Sequence, residues 1–117
     1  MTALLCVCAC PDDASARSIA EALVRTRLAA CVNLVGGVRS IYRWQDEIEQ
    51  ASEVLLLVKT ARARWDAVRD CIHARHPYEL PEIIAFDIDT ALPAYLDWIV
   101  AQTTVDAPSA PQDAHCR

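Results

Sequence analysis

Two kinds of apolar spacing alternate along this chain. Leu4 to Ala9 is apolar at every position, short, and closed by Pro11, which predicts a buried strand. Asp12 or Asp13 then offers an N-cap for a helix over "ASARSIAEALVRTRLAA", residues 14–30. Within it Ile19, Leu23, Val24 and Leu28 recur at three- and four-residue steps, with Arg17, Glu21 and Arg25 on the wet side. From Cys31 the pattern turns to β type. "CVNLVGGVRSIYRW", a polar turn "QDEIEQ" and "EVLLLVKT" predict a long hairpin with a bulge or bend at Gly36-Gly37. "ARARWDAVRDCIHARH" predicts a second helix that buries Trp65, Val68 and Ile72 and stops before Pro77, whose ring disfavours helix at the preceding residue. "EIIAFDI" predicts a fourth strand, and "PAYLDWIVAQ" a third helix opened by Pro93. Residues 1–105 are expected to form a single domain, and 106–117, with Pro108 and Pro111, a disordered tail.

The order βαββαβα, with right-handed crossovers, interlocks two split βαβ units. The expected fold class is therefore α+β: a ferredoxin-like βαββαβ antiparallel sheet with helices on one face and an extra C-terminal helix. Antiparallel strands with one solvated face should alternate apolar and polar residues. "VLLLV" (54–58) and "LLCVCA" (4–9) are instead apolar on both faces. Helices cover only one of them, so a second copy of the sheet is expected to cover the other, which predicts a homo-oligomer.

Charge narrows the partners. The net charge is −5, and eleven basic residues are scattered among sixteen acids, so no concentrated basic face exists for a phosphate backbone; nucleic acid is not an expected partner. No apolar run approaches the roughly 20 residues of a membrane span. The opening "MTALLCVCACPDD" lacks the basic n-region of a signal peptide and runs at once into Pro11-Asp12-Asp13, so a cytoplasmic protein is expected. In that compartment the six cysteines (6, 8, 10, 31, 71, 116) stay reduced. Cα atoms two apart on a strand are also roughly 6.6 Å apart, at the upper limit for a disulfide.

The topology brings the end of the first strand, with Cys8 and Cys10, to the same edge as His73 and His76 at the end of the second helix. Glu79 and Glu82 fall on that rim too. Thiolate with imidazole suits copper or zinc. No CxxC or HxxxH spacing occurs, which argues against a closed structural zinc site and leaves a sparse site of one cysteine and one histidine. Cys6, Cys10 and Cys71 read as packing residues. Tyr42 and Trp44 share one strand face and read as packing. Lys59 ends an apolar strand, facing an anion or solvent. There is no Ser-His-Asp pattern or glycine-rich phosphate loop, no histidine adjoins a cysteine that would need activation until the tail's His115-Cys116, and no enzyme is expected.

"RLAACVN" (27–33), "SIYRW" (40–44), "EVLLLVKT" (53–60), "HPYELPEII" (76–84) and "YLDWI" (95–99) together resemble the divalent-cation tolerance protein CutA family, across residues 4 to about 100. The resemblance implies a ferredoxin-like fold assembled as a tight homotrimer, tolerance to copper and other divalent cations, and copper binding. It also implies kinship in architecture with PII signalling proteins, so the alternative is a sensor holding a small molecule in an inter-subunit cleft near Cys31, Lys59 and Glu82. The resemblance further implies a copper site like that of a close bacterial member, which uses a cysteine three residues before Pro-Asp and two consecutive histidines before Pro-Tyr. Cys8 and His76 match two of these positions, and Arg75 stands where the other histidine would be. Gly36 stands where the family has proline, and Asp46 where the hairpin turn has glycine; aspartate tolerates the left-handed backbone such turns need.

Overall fold

The computed structural model describes residues 3–104. Along them run β1 (Ala3–Cys10), α1 (Asp13–Arg25), β2 (Cys31–Trp44), β3 (Glu47–Ala61), α2 (Trp65–Arg75, after a 3₁₀ turn at Arg62–Arg64), β4 (Ile83–Asp87) and α3 (Pro93–Thr103). The strands form one antiparallel sheet in the order β2-β3-β1-β4, the ferredoxin-like arrangement. The expected tail, with His115 and Cys116, lies outside the described residues.

Local chemistry sets the element ends. Asp12 caps α1, its Oδ1 accepting the Ser15 N–H at 2.7 Å. The helix ends at Arg25, five residues before the expected end at residue 30. Arg27 turns left-handed at φ 61°, the Leu28 N–H closes onto Leu23 O at 2.9 Å, and the Arg27 N–H closes onto Val24 O at 3.1 Å. Such closures usually place glycine at the left-handed position. Here the buried side chains of Leu23 and Leu28 hold the turn instead. At the hairpin, only Gln45 and Asp46 separate β2 from β3, both with positive φ (49° and 67°), so the turn is far tighter than a six-residue loop. The bulge is where the glycines predict it: the register shifts between Val35 and Val38, with Gly37 at φ 75°.

The sheet has two different faces. Cys6, Cys8, Cys10, Leu56 and Val58 point toward α1 and α2 and pack with Ile19, Leu23, Val68 and Ile72 into one buried core. Cys31, Lys59 and Leu5 lie in register on the opposite face. Tyr95 of α3 reaches Cys31, and fully buried Ile99 lies outside the α1/α2 core, so α3 covers part of that second face. The rest is open: Ile84 is 46% exposed and Phe86 55%. The hairpin tip is open as well, with Ile41 at 71% and Ile48 at 61%. It also stretches the molecule. The radius of gyration is 14.7 Å, against about 13 Å for a compact domain of this length.

Candidate metal centre

The site forms where the strands end unevenly. β4 pairs with β1 only as far as Cys8, opposite Ile83, whereas β3 continues along Ala9 and Cys10. The last two residues of β1 thus have one bare side. His76 fills it. Pro77 disfavours helix at His76, which leaves α2 at φ −76°, ψ 136° while its N–H still bonds Ile72 O at 2.8 Å. Its ring then turns onto the β1 end and is 8% exposed.

Both ring nitrogens are engaged. The Tyr78 N–H donates to Nδ1 at 3.1 Å, so the proton sits on Nε2, which donates to Ala9 O at 2.7 Å. The Tyr78 ring also lies against the imidazole, with centroids 4.8 Å apart. The tyrosine hydroxyl donates to Glu53 Oε2 at 2.8 Å, and burial together with that carboxylate pushes the Tyr78 phenol well above its ordinary range.

Against this ring lie two sulfurs. Cys8 Sγ, Cys10 Sγ and a ring nitrogen of His76 all fall within 4.8 Å of one another, and all three residues are buried. Among the described residues this is the one group of three or more histidine, cysteine or acidic ligands gathered so closely. The thiols influence each other. Cys8 is pushed far up, first by its hydrogen bond to Cys10 and then by burial, while accepting that bond pulls Cys10 down. Cys6, one step back on the same face, is raised to about 12 by burial alone. The donor set of two sulfurs and an imidazole fits a soft metal; it does not fit a cation that demands six or more oxygens.

Cys8 and His76, matched from the sequence, are thus brought together, and Cys6 packs in the core as expected. Cys10, read as packing, instead contributes its sulfur to the cluster. His73 is exposed and stands apart. Arg75 reaches the α1 side of the molecule, its Nη1 lying 3.4 Å from Ser18 Oγ. Glu79 and Glu82 line a neighbouring hollow of about 680 Å³ with Tyr42, Trp44 and Tyr78, so the two aromatics read as packing form a wall. Cys31 and Lys59 do meet: Nζ lies 3.9 Å from Sγ and also bonds Asn33 Oδ1. Glu82 does not join them within one chain. It precedes Ile83 opposite Cys8, whereas Lys59 is opposite Leu5, which separates them by about 13 Å along the strands.

A ferredoxin-like sheet with a thiol-imidazole cluster at one strand end defines a small α+β protein with a group of side chains of the kind that can hold a metal ion. Known proteins agree in sequence and structure. The family described as CutA1 divalent ion tolerance protein matches residues 4–102. The divalent-cation tolerance protein CutA of Thermus thermophilus is 48% identical over 93 residues, covering 80% of this chain and 90% of its own length. The protein CutA of Mus musculus is 43% identical over 77% of this chain, which spans 51% of that longer protein. The crystal structure of CutA from Xylella fastidiosa superposes with a TM-score of 0.87 at 42% identity, covering 89% of this chain and all of the other (100%). The chain belongs to the CutA1 divalent ion tolerance family.

Proposed function

We propose that this protein is a homotrimeric cytoplasmic tolerance protein that holds copper or another divalent cation at Cys8 and His76, without turning over a substrate. The observation that carries this reading is the convergence of Cys8 Sγ, Cys10 Sγ and a His76 nitrogen within 4.8 Å in a buried site. For His76 to ligate, the metal must displace either the Tyr78 N–H or the Ala9 carbonyl. That favours an exchangeable site over a permanent one. Cys6, Cys8, Cys10 and Cys31 are free thiols, but Cys71, expected to be a reduced packing residue, is disulfide-bonded, so the cytoplasmic assignment rests on the sequence alone. Among the described residues no helix is long and apolar enough to cross a membrane.

Assembly is supported by the apolar sheet face around Ile84 and Phe86 and by the projecting hairpin, both of which a neighbouring copy would bury. Isothermal titration with copper on the wild type and a Cys8→Ala, His76→Ala double variant tests the site. Loss of binding in the variant is expected, and unchanged binding removes the proposal. Light scattering tests assembly: three chains of 12.9 kDa are expected, and a single 12.9 kDa species removes the trimer.

The hollow of about 680 Å³, where Tyr42, Trp44 and Tyr78 face Glu53, Glu79 and Glu82, favours the PII-like small-molecule sensor as the second reading. Because Glu82 and the Cys31–Lys59 pair lie about 13 Å apart along the strands of one chain, a compact cleft containing all three would draw on two chains. A thermal-shift screen of metabolites in the presence of chelator tests it; metal-independent stabilisation supports it, and no shift across the screen counts against it.

A further inference from the structure

We infer that the cargo of this cluster is monovalent copper, held between Cys8 and Cys10 in two-coordinate geometry with His76 left outside the metal's first shell. The inference rests on the reading that metal enters this site, and departs from it in the donors and the oxidation state.

A neutral imidazole has one nitrogen lone pair to give a metal. In His76 it is spent on the Tyr78 N–H at 3.1 Å, and the other nitrogen carries the proton donated to Ala9 O at 2.7 Å. Shifting the proton to Nδ1 would set it against the Tyr78 N–H and point the Nε2 lone pair at the Ala9 oxygen. Coordination by His76 therefore breaks the Tyr78 bond if it uses Nδ1 and the Ala9 bond if it uses Nε2, and either way a polar backbone group loses its partner. Cys8 and Cys10 carry no such burden. Both are free thiols, both are 0% exposed, and both lie on the helix-covered face of β1.

Two sulfurs are too few for the common divalent ions. Zinc takes four ligands in a structural site and keeps a water where one is missing. Copper(II) and nickel(II) favour square-planar or tetragonal nitrogen and oxygen sets. Copper(I) is soft, prefers thiolate, and is content with two ligands in a line. With metal–sulfur bonds of about 2.3 Å, a linear S–metal–S unit spans about 4.6 Å. That fits within the 4.8 Å limit on the Cys8–Cys10 sulfur separation. A tetrahedral ion, with its sulfurs about 3.8 Å apart, also falls within that limit but would lack two ligands. Each thiol releases its proton to solvent as the metal binds, and no electron is transferred.

Cys10 sits one residue before Pro11, at a position the family's cysteine-and-histidine pattern does not include.

The test is an anaerobic competition in which the protein withdraws Cu(I) from a coloured Cu(I) chelator. The wild type is expected to take one equivalent. Cys10→Ser should weaken Cu(I) at least 100-fold, while Cys6→Ser, an equally buried change on the same strand face, should leave it within threefold. X-ray absorption on the copper-loaded wild type should count two sulfur neighbours and no nitrogen, a readout independent of any variant's folding. Nitrogen in that shell, or Cu(I) affinity indifferent to Cys10→Ser, overturns the inference. If divalent copper or zinc binds through Cys8 and His76 without Cys10, the inference fails while the proposed function stands. If neither Cu(I) nor a divalent ion binds the wild type, both fail.

Discussion

His76 should stabilise the fold whether or not metal is present. In His76→Ala the Ala9 carbonyl loses the donor that replaces β4 beyond its end, and the Tyr78 N–H loses its acceptor. An orphaned buried polar group costs about 1–3 kcal/mol. The Ala9 carbonyl, sealed beneath a ring that is 8% exposed, belongs in the upper part of that range. The Tyr78 N–H, on a half-buried residue, belongs in the lower part. Together they amount to about 3 kcal/mol, a large share of the stability of a domain this size. His76→Gln keeps a donor that can reach Ala9 and should lose about 1 kcal/mol, for the Tyr78 bond alone. The assay is urea unfolding of the three proteins in chelator, at one fixed protein concentration because association shifts apparent stability. A loss below about 0.5 kcal/mol for His76→Ala would refute the hydrogen-bond reasoning. So would a loss that appears only when metal is added.

The N-cap gives a pH-dependent test. Hydrogen bonds from Ser15 hold the Asp12 carboxyl below its ordinary range, so its contribution is complete above the unfolded pKa of about 4 and fades as pH falls through the lower folded value. Asp12→Ala should therefore melt earlier than wild type at pH 7, with the gap closing in acid; a gap constant down to pH 2 would contradict the cap. Arg27→Gly relieves a left-handed side-chain residue and should stabilise by about 0.5–1 kcal/mol, unless the Arg27–Gln102 carbonyl contact at 3.3 Å outweighs it, which a destabilised variant would reveal in the same unfolding assay. Adjacent glycines should behave differently. Gly37→Ala meets no atom within 4 Å but must hold φ 75°, costing about 1 kcal/mol, while Gly36→Ala has open space without that constraint and should be near neutral.

Element order and sheet topology were legible in the sequence because period-2 and period-3.6 patterns alternate cleanly and prolines punctuate them. Element ends were less so. The α1 stop is invisible in sequence because Arg27, a good helix former, adopts the left-handed position, and Leu28 continues the apolar spacing while serving the turn instead. The hairpin turn was overestimated because Glu47–Gln50 is polar yet paired to β2, as expected of a sheet region exposed on both sides. In the candidate centre, Cys8 and His76 were legible from topology and family pattern together. Cys10 was set aside on backbone spacing, yet Cα separation governs a disulfide strictly and a metal site only loosely. Parity was the available clue: Cys8 and Cys10 must share a sheet face. The grip of Ala9 and Tyr78 on His76 had no clue at all, since a carbonyl and an amide N–H are present at nearly every residue.

The bulge in β2 also limits what can pair with the open edge of the sheet. β2 is an edge strand of fourteen residues, with an outer row of backbone groups that no strand of the same chain pairs. Long edges usually invite indiscriminate growth by strand addition. Here the one-residue offset between Val35 and Val38 breaks that row into two segments that are out of step, and Arg39 and Arg43 stud the outer one. A straight, flat strand from an unrelated unfolded protein can match one segment or the other, but not both. Only a strand carrying a compensating offset can run the full length, so the edge proofreads its visitors by register, before any side chain is compared.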